Sequence, residues 1–476
     1  MESNQTITIE LPAMRMGEQP TADVHSSASL VLLLSFFFLL AVEVIRRFLS
    51  ERKPRAYPVF PVEGRCERGF EAVRNAFAEN FARGWEPNGA ALAVFHRGRL
   101  VVDLHGGFAD LESRRLWRED TLAVSFSSTK AVSALCVAML VDRGHVKYET
   151  RLAEFWPAFG KHGKDEVTVQ DVLSHMAALA WLDQPVRIED AQNNPEAIAR
   201  LFEEQTPNWS GKQVGYHALT YGWLVDQIVR RTDPEGRSLG EFYRQEVASK
   251  IEGKRMINVY FLFLRSGCDY HIGLPKSEAG RVARLTLPSF RQRVSEYFHN
   301  PKAVDYYRFL KDFMFGGLLS RVERNPSWLR FVFEMTLNNP EIYALEQGAV
   351  MGIGTARSLA AIFQHAIFGS RFFRHARTLA EFLTPRVFQA DIVTGALVER
   401  GNGLMHSPFT LGKRKFTMIG HAGVGGQNIK FDPEHELVFC YLSNGLKGGF
   451  GDSARTFVAL RNAIYSAVVE QEESSA

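Results

Sequence analysis

The sequence predicts an α/β protein: an antiparallel sheet built from strands at both ends of the chain, flanked by helices, with a large and mainly helical middle region. Three observations predict it. Short β-rich runs stand near the start, AALAVF at 90–95 and LVVDLHGG at 100–107. Three more, FTMIGH, NIKFD and ELVFCYLSN, stand near the end. Between the two groups, residues 167–367 carry mostly helical apolar spacing, clearest at 219–230 and 355–366. Strands at both ends with helices between them imply one domain whose sheet the C-terminal part completes.

Taken in order, the chain opens with a polar leader, 1–27, in which Glu2, Glu10, Glu18 and Asp23 outweigh Arg15. Residues 28–45 are almost wholly apolar apart from Glu43, near the length of about 20 that a membrane span needs. The basic residues Arg46, Arg47, Arg52, Lys53 and Arg55 follow this run rather than precede it, which favours an uncleaved single-pass anchor over a cleaved signal. By the positive-inside tendency the body then faces the cytosol, and a mitochondrial location stays open. The sequons at Asn4 and Asn208 fall on opposite sides of that anchor, and Asn208 is expected to stay unglycosylated. A Pro-containing linker, 46–62, leads into one domain, 63–470.

Within that domain Phe70, Val73, Phe77 and Phe81 recur at helical spacing. The two β-rich runs around His96-Arg97-Gly98-Arg99 read as a hairpin. From 127 to 142, SSTKAVSALCVAMLVD is apolar on nearly every side, so this helix belongs inside the protein. Residues 453–468 read as a closing helix. The apolar stretch 252–267, EGKRMINVYFLFLRSG, is an interruption, read as an insertion against the helical region or a flawed gene model.

Composition fits a large core: of 476 residues, 46% are hydrophobic, 12% aromatic and 23% charged. A formal charge of +3, from 56 basic and 53 acidic residues without an extended Lys/Arg stripe, excludes nucleic acid as the expected partner. Cys66, Cys136, Cys268 and Cys440 form no CxxC pair, so neither a zinc site nor a disulfide framework is expected. The chain also lacks H-E-x-x-H, G-x-x-x-x-G-K-[ST] and G-x-S-x-G. Neither metal nor organic cofactor is expected, and a homo-oligomer is compatible with the sequence.

The residues that point to chemistry begin with Ser127-Ser128-Thr129-Lys130. Three residues apart on a helix, the hydroxyl of Ser127 and the amine of Lys130 share a face. Serine becomes a nucleophile when a base takes its proton, and lysine is such a base when burial lowers its pKa. The tetrapeptide alone is weak, since Ser50 to Lys53 matches it too, and a helix N-cap with a partly buried lysine is the plain alternative.

Other segments give it a setting. FSSTKAVSALCVAMLVDRG is followed by DVLSHMAAL at 171–179, GYHALTYGWLVDQIVRR at 215–231, GIGTARSLAAIF at 352–363, GHAGVGGQNIKFDPE at 420–434 and YLSNGL at 441–446. This ordered set resembles the serine β-lactamase-like family, which includes class C β-lactamases, penicillin-binding proteins and related esterases. The nearest likeness is to eukaryotic, nematode-type β-lactamase-domain proteins. The resemblance implies a β-lactamase/transpeptidase-like fold and a nucleophile at Ser127, with Lys130 and Tyr216 sharing proton transfers. It also implies an oxyanion hole from the backbone N–H groups of Ser127 and of Val424, on the strand after His421-Ala422-Gly423.

Two departures bear on substrate. Lactamase members have Tyr-x-Asn where this chain has Tyr216-His217-Ala218, and Lys-Thr-Gly or Lys-Ser-Gly where it has His421-Ala422-Gly423. A β-lactam carboxylate needs the missing cation and hydroxyl for orientation, so an ester or amide substrate is expected instead. His421 either hydrogen-bonds near the leaving group or supports its strand. His175 reads as structural, and the loop 346–354, EQGAVMGIG, as the pocket rim. A membrane-anchored serine hydrolase, esterase or peptidase-like, is therefore expected. The alternative is a non-catalytic scaffold or filament-forming protein, which Ala218 and Ala422 favour.

Overall fold

The hairpin expected near residue 97 closes because its two turn residues accept left-handed backbone, Arg97 at φ 50° and Gly98 at φ 76°. It belongs to a computed structural model that describes residues 60–251, 267–448 and 451–475, with Ser35, Val42, Glu43 and Arg46. In chain order the strands are β1 (Val62–Cys66), β2 (Gly89–His96), β3 (Arg99–Asp110), β4 (Arg115–Leu116), β5 (Ala123–Val124), β6 (Tyr270–Ile272) and β7 (Gly352–Gly354). They continue as β8 (Pro385–Ala390), β9 (Leu397–Gly401), β10 (Met405–Leu411), β11 (Arg414–Ala422), β12 (Asn428–Asp432) and β13 (Leu437–Ser443).

Among the described residues these make a ten-stranded sheet in the order β1-β3-β2-β13-β12-β11-β10-β9-β8, with β4 on β3, and a small sheet β5-β7-β6. All the pairings are antiparallel. The junction between the two ends of the chain is β2 against β13, where Ala93 faces Cys440. The sheet is thus completed by the C-terminal part, as the sequence predicts.

The helices that position the site are α1 (Glu71–Ala82), α2 (Thr129–Asp142), α3 (Val169–Leu173), α4 (Pro195–Glu204), α5 (Thr220–Thr232), α6 (Phe290–His299), α7 (Tyr306–Phe315), α8 (Leu318–Arg324), α9 (Ala356–Ile367) and α10 (Arg455–Ser475). Strand alternation sends Ala90, Leu92 and Val94 of β2 into a core with Phe77 and Phe81 of α1 and Phe457 and Ile464 of α10. Ala93 points to the opposite core, which holds Leu359 and Phe363 of α9 and the apolar residues of α2. Its small side chain leaves room for a helix there. In α2, 13 of 14 residues are buried, as its all-round apolar sequence demands.

Several expectations need correction. Strands β8 to β10 carry no clear apolar alternation in sequence: β8 is mostly exposed and starts on a proline, an edge-strand position. The loop 346–354 turns inward: Glu346 lines a cavity and the Ala349 carbonyl accepts from Lys130 Nζ. Ala349, Val350 and Met351 are buried, and 352–354 become the central strand of the small sheet. The single-pass membrane location is overturned: among the described residues no helix is long and apolar enough to cross a membrane. The run 28–45 itself lies outside the described residues apart from Ser35, Val42 and Glu43, as does 252–267 apart from Gly267.

Candidate active site

Ser127 sits in a single turn, Phe126–Ser128, that runs directly into α2. Phe126 is held at φ 46°, a region a bulky side chain rarely adopts, and the surrounding hydrogen bonds over-determine it. Ser125 Oγ donates to the carbonyl of Gly352 at 2.9 Å and lies 2.7 Å from the Tyr270 hydroxyl. Thr129 Oγ1 donates to the Phe126 carbonyl at 2.6 Å and accepts from Gly352 N at 2.9 Å. The small sheet therefore clamps the turn from below. From the other side Ser128 Oγ donates to the His421 carbonyl at 3.1 Å, tying the turn to the end of β11. Gly423 makes that approach possible, because a Cβ there would lie 2.7 Å from the Ser125 carbonyl oxygen.

Two groups converge on Ser127, which keeps 4% of its surface exposed. Tyr216 OH donates to Ser127 Oγ at 2.7 Å, and Lys130 Nζ lies 3.2 Å from the same oxygen. Lys130 is fully buried and also donates to the carbonyls of Ala218 at 2.8 Å and Ala349 at 3.0 Å. Burial, reinforced by the positive charge of Arg400, holds its ammonium well below the usual lysine range. Burial likewise pushes the Tyr216 phenol up to about 12, against the Ser127 hydrogen bond and Arg400, which lower it.

Tyr216 sits on a short loop ahead of α5, and buried polar groups fix that loop. Its backbone N donates to Asp391 Oδ1 at 3.2 Å, while Asp391 Oδ2 accepts from Arg400 at 3.3 Å. The Arg400 guanidinium lies 5.0 Å from the Tyr216 ring centre. His175 Nδ1 accepts from the backbone of His217, and His217 Nε2 accepts from Leu179 N. Burial keeps both imidazoles neutral, with His217 lowered to about 3 and His175 well below its ordinary value. They act as wedges that shape the loop.

The end of β11 differs from what the sequence implies. His421 and Ala422 are the last two residues of that strand, but Gly423 and Val424 lie beyond it, and Val424 begins a tight turn, Val424–Gly426, in which Gly425 takes φ 75°. His421 is buried and held well below its ordinary pKa by burial, then by Lys130 and Arg400. It is therefore a neutral imidazole and not a cation. Its Nδ1 pairs with the Ala422 carbonyl at 2.7 Å, and Nε2 has no partner among the described residues. Its ring stacks on Tyr216 with centroids 6.4 Å apart.

Sequence reasoning found Ser127, Lys130, Tyr216 and His421, and the fold brings them together. It missed Arg400, Asp391, Tyr270 and the carbonyl of Ala349. A main-chain carbonyl leaves no side-chain signal, and Arg400 reads as one charge among many. A cavity of about 690 Å³ opens elsewhere, between Trp223, Asp226, Arg230, Glu241 and Glu346, and none of the expected site residues lines it. Asp432, Glu434 and His435 place donor atoms within 4.8 Å of one another, yet Asp432 already accepts from Tyr465 and His435 lies 3.0 Å from Glu472. They form a hydrogen-bonded turn.

The β-lactamase family model matches residues 77–463, spanning the nucleophile turn, the Tyr216 loop and the end of β11. The chain belongs to the β-lactamase family. Within it, the esterase/β-lactamase LipL of Mycobacterium tuberculosis (strain ATCC 25618 / H37Rv) is 30% identical over 400 residues, covering 81% of this chain and 83% of that protein. The crystal structure of a family VIII carboxylesterase superposes with a TM-score of 0.70 at 29% identity, over 86% of this chain and all of the other. A penicillin-binding protein homologue from Caulobacter crescentus gives 0.69 at 28% identity, again over 86% and 100%. This member of the β-lactamase family is a serine hydrolase with the family's α/β fold. These findings carry the family as a whole and do not carry the narrower nematode-type likeness.

Proposed function

We propose that this chain hydrolyses a carboxylic ester through an acyl-enzyme on Ser127, with Lys130 as base and Tyr216 as acid. The observation that carries the reading is the placement of Ser127 Oγ between Lys130 Nζ at 3.2 Å and Tyr216 OH at 2.7 Å. A neutral Lys130 amine has two N–H groups and one lone pair. The carbonyls of Ala218 and Ala349 take the N–H groups, which leaves the lone pair to accept the Ser127 proton.

In acylation Ser127 Oγ bonds to the substrate carbonyl carbon as its proton moves to Lys130. Tyr216, a phenol at neutral pH, gives its proton to the departing alkoxide. The backbone N–H groups of Ser127 and Val424 stabilise the tetrahedral oxyanion. In deacylation water gives a proton to the Tyr216 phenolate and adds to the acyl carbon, and Ser127 leaves with the proton held on Lys130. The sum is ester plus water to acid plus alcohol.

Esters are favoured over β-lactams because the groups that would hold a lactam carboxylate are gone. Ala422 offers no hydroxyl, His421 is neutral, and Arg400 is already paired with Asp391. At Ala218 the missing asparagine is replaced, as far as Lys130 is concerned, by the main-chain carbonyl of the same residue. Labelling with a fluorophosphonate probe tests the nucleophile: wild type is expected to label and Ser127→Ala is not. Equal labelling of both sinks the assignment. LipL's name carries both activities, so nitrocefin turnover rivalling that of p-nitrophenyl butyrate would reverse the substrate preference.

A further inference from the structure

Apolar surface gathers on one segment outside the active site. Among the described residues, neither α6 nor α7 contains a buried residue, although α7 reads YYRFLKDFMF. Tyr307, Leu310, Met314 and Phe315 fall at i, i+3, i+7 and i+8, one face of a helix, and are 79%, 57%, 58% and 76% exposed. Phe298 of α6 is 79% exposed and Phe333 is 60% exposed. Single exposed apolar residues are ordinary, but a helical stripe of them marks an interaction surface.

Aromatic contacts lead from α7 toward the turn that holds Ser127. Phe331 is buried edge-on against Phe126, the residue before Ser127, with ring centres 5.7 Å apart. Two residues later Phe333 packs on Phe313 of α7 at 4.8 Å. On the other flank Leu318 and Leu319 of α8 join the apolar cluster that includes Tyr216 and Ala218. Charge narrows the occupant. Residues 290–324 carry Lys or Arg at seven positions against Asp or Glu at four, and Lys302, Lys311, Arg321 and Arg324 are exposed. A second copy of this face would meet its own positive charge, whereas anionic headgroups complement it.

Building on the ester-hydrolase reading, we propose that α6 and α7 form an interfacial surface that seats the enzyme on aggregates of an anionic lipid ester, its substrate class. The helices lie in the plane of the interface, as amphipathic helices with aromatic and basic faces do. The aromatic series Phe313, Phe333, Phe331 and Phe126 links that interface to the nucleophile turn.

The test uses the full-length chain carrying Tyr307→Ser, Leu310→Ser and Phe315→Ser together. These side chains are exposed, so hydrolysis of monomeric p-nitrophenyl butyrate is expected to stay within about twofold. Hydrolysis of p-nitrophenyl palmitate dispersed with phosphatidylglycerol is expected to fall about tenfold or more. Co-sedimentation of the Ser127→Ala protein with phosphatidylglycerol vesicles is expected to fall likewise when the triple change is added. Lys302→Glu with Lys311→Glu is expected to lose binding to anionic vesicles. Unchanged palmitate turnover and vesicle binding in the triple variant would overturn the proposal. So would a dimer that becomes monomeric in that variant while lipid binding persists, since the face would then pair two copies. A wild type that cannot hydrolyse butyrate defeats the ester-hydrolase reading, while the sedimentation of the Ser127→Ala protein still decides the surface.

Discussion

Lys130 and Lys447 are each buried against a serine and a tyrosine, the first by Ser127 and Tyr216, the second by Ser443 and Tyr441. Lys447 Nζ donates to Ser443 Oγ at 2.7 Å and to Glu86 Oε2 at 2.5 Å. Lys130 meets two carbonyls instead, and among the described residues no carboxylate pairs with it. Burial lowers the pKa of both amines, but Glu86 opposes the fall at Lys447 and a like charge, Arg400, deepens it at Lys130. The same three side-chain types thus make a structural ion pair in one place and, in the proposed mechanism, a base in the other. The difference is the counter-ion.

The largest effect that would break this contrast is on activity. Lys130→Met is expected to lower kcat/KM for p-nitrophenyl butyrate by about 10³–10⁴-fold with little loss of stability. A variant as active as wild type would mean that Lys130 is not the base. Lys447→Met leaves Glu86 buried without its cation and is expected to destabilise the protein by about 3–5 kcal/mol in urea unfolding. Adding Glu86→Gln should restore most of that. A stable Lys447→Met protein lacking activity would erase the distinction between the two sites.

A smaller change moves one site toward the other. Ala218→Asp places a carboxylate beside Lys130 and is expected to raise its pKa by about 1–3 units. Because the base works only as a free amine, activity is lost as pH falls through the lysine pKa, so the acid limb of kcat/KM should shift upward by that amount. An unmoved limb would assign it to another group.

The smallest effect concerns stability in mild acid. His175, His217 and His421 are held neutral by burial, so the unfolded chain takes up their protons near pH 6.5 while the folded one resists, His217 down to about 3. Stability is therefore complete above about pH 6.5 and declines below it, by roughly 1.4 kcal/mol per histidine at pH 5.5. Urea midpoints at pH 7.5 and 5.5 measure it, and equal midpoints would mean that these rings accept protons in place.

Much of the architecture was legible because burial writes itself into periodicity. The hairpin at residue 97, the apolar helix behind Ser127 and strands β11 to β13 all carry strong alternation or all-round apolarity. Strand β8 does not, since most of it is exposed, and β9 does not, since its buried positions include the charged Arg400. Ser127, Lys130 and Tyr216 were legible through an ordered set of motifs, not through spacing alone. Asp391 and Arg400 were not, because they act on the Tyr216 loop from 175 residues away or more in sequence. The 346–354 stretch looked like a surface loop for the same reason a glycine-rich turn does, yet its carbonyl of Ala349 accepts from Lys130 Nζ.

The pairing of Ala93 with Cys440 reaches into how the protein is made. Strand β2 emerges early from the ribosome with Leu92 and Val94 bare, and its partner β13 follows nearly 350 residues later. At about 5–20 residues per second that delay is roughly 20–70 s. During it the N-terminal hairpin offers an unpaired, apolar strand edge to any passing chain. A holdase bound through that interval would shield the edge until β13 arrives to cover it.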